Sequence, residues 1–159
     1  MNRLGTSDFG GVANSRRTMT EKIHLSTVEK VLFLKSTDIF EHATIEELGR
    51  IAALAQEVWF EAGDIIYREG DPAVAIYVIL KGRASVQSNG KIVREVEEKH
   101  AVGLLAALAL SSALRTVTAS EPVHALKLNV QDFEDVLASD FDLVKAMLRA
   151  ITAHIRQEV

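Results

Sequence analysis

A chain of 159 residues with 48% hydrophobic content can bury one sizeable core, and its length suits a single folded unit rather than a two-domain transcription factor. Its net charge of −4 carries no general attraction for phosphate backbones or anionic membranes, so neither nucleic-acid binding nor membrane insertion is expected. With no cysteine the chain cannot form a disulfide, a zinc-thiolate site or a cysteine-ligated iron–sulfur cluster, a composition compatible with the expected cytoplasmic location.

Residues 1–20 hold Arg3, Arg16 and Arg17 among Gly, Ser and Thr without the apolar core of a leader. They read as a flexible tail or linker, with the folded domain over residues 21–159. Ser26-Thr27-Val28-Glu29 has the spacing of a capping box and predicts a short helix through Lys35. Thr44-Ile45-Glu46-Glu47 repeats the device, and Ile45, Leu48, Ile51, Ala52 and Leu54 line one helical face to about Gln56. These carboxylates are read as caps rather than as acid–base groups.

From Glu57 the period becomes two, and Gly63, Gly70, Gly82 and Gly90 punctuate short runs rich in Ile, Val and Tyr. In Ala75-Ile76-Tyr77-Val78-Ile79-Leu80 both faces are apolar, as in a strand covered on two sides. Trp59 and Phe60 read as core or lid packing. Asn89-Gly90 accepts the positive φ angles of a two-residue type I′ turn and should join strand Arg83–Gln87 to strand Lys91–Val96. A short helix should begin near Gly103, where glycine permits close backbone approach, and Thr116–Ala119 and Val123–Leu128 complete the sheet. After Asn129 the helical period returns. Phe141, Val144, Leu148, Ile151 and Ile155 follow spacings of three, four, three and four, with Leu143 and Met147 beside them. This stripe either packs on its own strands or pairs with a second copy; Val144, Leu148, Ile151 and Ile155 are the expected homodimer contacts. No helix-turn-helix is expected beyond it.

The frame of Phe60, Gly63, Ile66, Gly70, Asp71, Tyr77, Ile79 and Gly82 resembles the β-roll of the cyclic-nucleotide-binding domain, and the resemblance runs from about Thr27 to Glu158. It implies an α+β fold: two N-terminal helices, an antiparallel β-roll of jelly-roll type, and C-terminal helices. In that family a phosphate cassette reads Phe-Gly-Glu-Leu-Ala, with an Arg nine residues after the Glu, then two small residues and Thr-Val. Gly103, Leu105, Ala106, Thr116 and Val117 match, but Leu104 stands at the Glu position and Ala113 at the Arg position. The resemblance gives the Arg to the ligand phosphate and the Glu to the ribose hydroxyl; both contacts are missing here, which implies a binding loss of roughly 3 to 5 kcal/mol.

The expected role is therefore a non-enzymatic regulatory or interaction module, with a protein partner the sequence does not name. No cofactor is expected, and cyclic nucleotide would bind weakly through Gly103, Leu104, Leu105, Ala106, Ala113, Leu114, Arg115 and Thr116. Leu104, Leu105, Leu108, Leu110 and Leu114 either fill the former pocket or line an open one that takes an apolar ligand. Arg115, two positions after Ala113 and on the same side of an extended segment, is the residue that could restore anion binding in a true cyclic AMP or cyclic GMP sensor. His24, His42, His100, His124 and His154 show no metal-ligand spacing; His100, just before the cassette, is the one candidate for a haem ligand. Glu97-Glu98-Lys99-His100 replaces a turn that usually contains glycine and implies an altered approach to the cassette.

Overall fold

A computed structural model describes residues 24–109 and 111–157, with side chains described through Ala153. The predicted tail lies outside them. Helix α1 (Thr27–Lys35) starts on the expected box: Ser26 Oγ accepts from the Glu29 N–H at 3.3 Å, and the Glu29 carboxylate accepts from the Ser26 N–H at 2.7 Å. Helix α2 (Ile45–Leu54) uses Thr44 and Glu47 in the same way, at 3.2 and 2.8 Å. Each box satisfies two amide hydrogens that would otherwise lack a helical partner. A 3-10 turn, Asp38–Phe40, lies between the helices.

Eight strands follow: β1 (Gln56–Phe60), β2 (Ile65–Tyr67), β3 (Ala75–Lys81), β4 (Ala84–Ser88), β5 (Lys91–Val96), β6 (Ala101–Val102), β7 (Thr116–Ala119) and β8 (Val123–Asn129). They form two antiparallel four-stranded sheets, ordered β1-β8-β3-β6 and β2-β7-β4-β5. Helix α3 (Leu104–Leu108) interrupts the strands, and α4 (Val130–Ser139) and α5 (Phe141–Gln157) follow β8. This is the expected α+β architecture of a β-roll with flanking helices. Asn89 and Gly90 have φ of 53° and 75°, the two positive angles the hairpin requires. The hairpin's first strand is displaced by one residue from the expected Arg83–Gln87.

The first sheet is a partition between two cores, which explains why β3 is apolar on both faces. On one side Ile76, Val78, Leu126 and Leu128 meet Leu34, Phe40, Leu48, Ile51, Phe133, Leu143 and Met147 of the helical layer. On the other, Ile79, Val123 and Ala125 meet Val86, Val117 and Ala119 of the second sheet. Each fully buried Leu, Ile or Phe removes apolar area worth about 1.5 to 3 kcal/mol from water, so both layers depend on this partition.

Two helical expectations need correction. On α2, Leu48, Ile51 and Ala52 are buried but Ile45 and Leu54, its first and last residues, are exposed, so only the middle turns of the helix face the core. The C-terminal helices are separate, as expected, and the second correction concerns the apolar stripe of the last one. Asp140 leaves helical geometry at φ −141°, ψ 88°, accepts from the Leu143 N–H at 3.0 Å through its carboxylate, and pairs with Arg50 of α2. A new helix thus starts at Phe141 with its own cap. On α5 the face turned to the core is Leu143, Ala146, Met147 and Ala150, while Val144 and Ile151 are half-buried and Phe141 and Leu148 exposed. The predicted seam is the outer flank of α5; the side chain of Ile155 lies outside the described residues.

Candidate functional site

Strand β6 delivers the chain to Gly103, whose φ of 86° turns it into α3. An L side chain rarely adopts that angle, but space alone would also demand glycine here. A Cβ on Gly103 would lie 2.3 Å from the Tyr67 hydroxyl oxygen and 2.6 Å from its ring. The close approach expected at this glycine is therefore made by Tyr67 of β2. The Tyr67 hydroxyl is buried, lies near the Ala75 main chain and makes no hydrogen bond among the described residues. Burial, and secondarily its neighbour Tyr77, push its pKa up; burial also raises that of Tyr77. Both phenols stay neutral. Tyr67, Tyr77 and Phe60 meet edge to face at 5.5 and 5.6 Å, an aromatic cluster inside the roll.

The far wall is the turn at Gly70-Asp71. The Gly70 N–H donates to the Ala113 carbonyl at 2.9 Å, the Ala113 N–H donates to the Asp71 carbonyl at 2.8 Å, and Pro72 and Ser112 form an antiparallel bridge. The Glu69 N–H donates to Thr116 Oγ1 at 3.1 Å. These bonds seat Ala113 against the roll, where it is 8% exposed.

Leu104 and Ala113, at the positions where the resemblance places charges, are thus both buried, but in different cores. Leu104, also 8% exposed, packs with Ala107 among the helical layer around Phe40, Leu143 and Met147. Ala113 packs in the roll with Tyr67, Ile66 and Val117. Of the other cassette residues, Ala106 is buried, whereas Leu105, Leu108 and Leu114 are exposed and Leu110 lies outside the described residues. The expectation that the leucines act together to fill a pocket is corrected: Leu104 is buried, and what fills the roll beside Gly103 is an aromatic ring. Arg115 is corrected as well. The segment bends at Leu114 and Arg115, so Ala113 turns inward while Arg115 is exposed, without an ion pair among the described residues.

Chemically, the cassette offers main-chain amides at the start of α3 but no buried cation. An anion buried without a paired charge loses several kcal/mol of hydration. His100 lies on the surface, with Nδ1 3.0 Å from the Glu98 carbonyl and Nε2 3.6 Å from Asp38. Lys99 beside it has φ 68°, an angle a glycine would hold without strain. Two surface cavities, of about 170 and 240 Å³, lie elsewhere: one at Gly82, Arg83, Glu97, Glu98 and Glu121, the other at Arg50, Leu54, Asp132, Asp135, Val136 and Ser139. Among the described residues no cluster of His, Asp or Glu has metal-holding geometry, and no helix is long and apolar enough to cross a membrane.

Sequence reasoning missed Tyr67. It stands in an alternating strand as an ordinary aromatic, and only pairing of β2 with β7 brings it to Gly103.

Comparison with known proteins agrees with this geometry. The cAMP-dependent protein kinase regulatory subunit of Schizosaccharomyces pombe is 29% identical over 148 residues, covering 92% of this chain and 34% of that protein. The chain spans between 10% and 34% of the length of the curated relatives it matches. Among solved structures, the regulatory subunit of a cAMP-independent protein kinase A from Trypanosoma brucei superposes with a TM-score of 0.64 at 27% identity, covering 82% of this chain and 51% of that one. The N-terminal domain of a transcriptional regulator from Streptomyces coelicolor has the same fold, with a TM-score of 0.68 at 24% identity, covering 79% of this chain and 94% of that one. The profile of the cyclic nucleotide-binding domain matches residues 57–140, more than half of the chain. With the two sheets, the interrupting helix at Gly103 and the flanking helices in place, the chain belongs to the cyclic nucleotide-binding domain family.

Proposed function

We propose that this domain is a cytoplasmic regulatory or protein-interaction module that does not hold cyclic nucleotide tightly. The observation that carries the reading is the burial of Leu104 and Ala113, the residues at the family's Glu and Arg positions, in two separate apolar cores. The Tyr67 ring against Gly103 supports it, since a ligand phosphate at that amide would compete with a packed aromatic. A related fold in a kinase regulatory subunit described as cAMP-independent fits the same picture. The outward Leu105, Leu108 and Leu114 give the module an apolar contact surface for a protein partner. Output also passes through self-association along α5, where Phe141, Val144, Leu148 and Ile151 flank the core-facing side.

Calorimetric titration with cyclic AMP and cyclic GMP tests the first part. No binding tighter than about 100 μM is expected, because two charge-assisted contacts are absent; saturable heat in the low micromolar range overturns the reading. Sedimentation tests the second. Leu148 is 54% exposed, so Leu148→Asp should leave the fold intact and separate a dimer into monomers, whereas a monomeric parent removes the claim.

A further inference from the structure

Far from the cassette, at the β1 edge of the first sheet, one carboxylate joins three segments of the chain. The register sets Trp59 opposite His124 and Glu57 opposite Leu126, so Trp59, Glu57 and His124 share the face that carries the helical layer. The Glu57 side chain is 3% exposed. Its Oε1 accepts from His124 Nε2 at 2.9 Å; its Oε2 accepts from the Leu25 N–H at 2.9 Å and from His24 Nδ1 at 3.2 Å. The Trp59 indole stacks on the His124 ring at 4.7 Å and 7°, and meets the His24 ring edge-on at 5.4 Å. Lys81 of β3 stands opposite His124 on its other side. The charged and titratable groups facing His124 are therefore Glu57 from β1, His24 from the segment before α1, and Lys81 from β3.

We propose that Glu57, His24, His124 and Trp59 form a proton-sensitive clasp that holds the segment leading into α1 on the sheet edge at neutral pH and releases it on acidification.

One buried carboxylate balances one imidazolium, not two. With both histidines protonated the cluster carries a net positive charge beside Lys81; Glu57 and His124 are 3% and 20% exposed while His24 is 72% exposed, so the attraction that held His24 and Leu25 is opposed by a repulsion felt most at the buried His124 ring. Burial, the largest influence, holds the His124 pKa below its ordinary 6.5; Glu57 partly offsets this, and the charges of His24 and Lys81 add to it. The folded state thus favours neutral His124. The stability this contributes is present above the ordinary value and is lost as pH falls through the lower folded value. Release on acidification follows from that sign.

Trp59 is the only tryptophan of the chain, and an imidazolium stacked on an indole quenches its emission, so the clasp carries its own reporter. The experiment uses the full chain between about pH 7.5 and pH 5, following Trp59 emission, hydrogen exchange at the Leu25 amide corrected for intrinsic rate, and far-ultraviolet circular dichroism. Emission should change in one step centred below the ordinary histidine value, while Leu25 protection falls by about tenfold or more and the circular dichroism stays constant. His124→Gln should abolish the step; His24→Gln should move it to higher pH by removing a like charge. Leu25 protection that stays flat in the parent overturns the proposal, as does a step that survives in His124→Gln. A loss of circular dichroism together with the emission change also overturns it, since global unfolding is then the event. Should His124→Gln not fold, parent Leu25 exchange and the His24→Gln shift decide alone.

Discussion

The two ends of the cassette, each uncharged where the resemblance places a charge, settle in different ways. At its start Leu104 turns into the helical layer and joins the core that holds Phe40, Leu143 and Met147. At its end Ala113 is pinned by main-chain bonds to the Gly70-Asp71 turn and lies in the roll near Tyr67, while Leu114 and Arg115 swing outward. One end became a core contact and the other a seat for main-chain pairing. What a position requires is set by the layer it enters.

The most severe way to break this comparison is to restore both charges. Leu104→Glu with Ala113→Arg buries a carboxylate among helices and a guanidinium in the roll, with no pairing between them. Denaturant unfolding should show a loss of about 3 to 5 kcal/mol, and cyclic nucleotide should not restore it. Ligand-dependent recovery of stability would mean that the two ends still converge on one open pocket.

Gly103→Ala comes next, expected to cost about 2 to 4 kcal/mol because the new methyl group meets both an unfavourable φ and the Tyr67 ring. Pairing it with Tyr67→Leu should return a good part of that cost. A double-mutant cycle with no coupling would place the whole penalty in the backbone angle.

Tyr67→Phe should stabilise the fold by about 1 kcal/mol, since it removes a buried hydroxyl that makes no hydrogen bond among the described residues and keeps the ring. A loss on thermal or chemical unfolding would mean that the hydroxyl has a partner in solution. The smallest effect belongs to the outer surface: Leu105→Gln and Leu114→Gln should each change stability by less than about 0.5 kcal/mol, against about 2 to 5 kcal/mol for Leu104→Ala next door. Equal costs at Leu104 and Leu105 would erase the distinction between the inner and outer faces of α3.

Much of the fold was legible because its signals are local or periodic. The Ser26–Glu29 and Thr44–Glu47 boxes, the Asn89-Gly90 hairpin, the doubly apolar β3 and the absent charges at positions 104 and 113 all reside within a few neighbouring residues, where short-range hydrogen bonding and backbone sterics decide. The pairing of Asp140 with Arg50 did not announce itself, since the two stand ninety positions apart. Nor did the exposure of Ile45 and Leu54, which fit the helical period but overhang the core.

By itself, then, the sequence determined the family frame, the element types and the uncharged Leu104 and Ala113 at the two positions where the resemblance places charges. Tertiary structure alone decided which leucine of the cassette is inside, that Tyr67 presses on Gly103, that Arg115 is exposed while Ala113 is buried, and that His24, Glu57, Trp59 and His124 meet. The physical reason is common to all four. A residue's type and spacing specify what it prefers, but which surface satisfies that preference depends on sheet register and helix docking, and these are settled by burial summed over the whole chain.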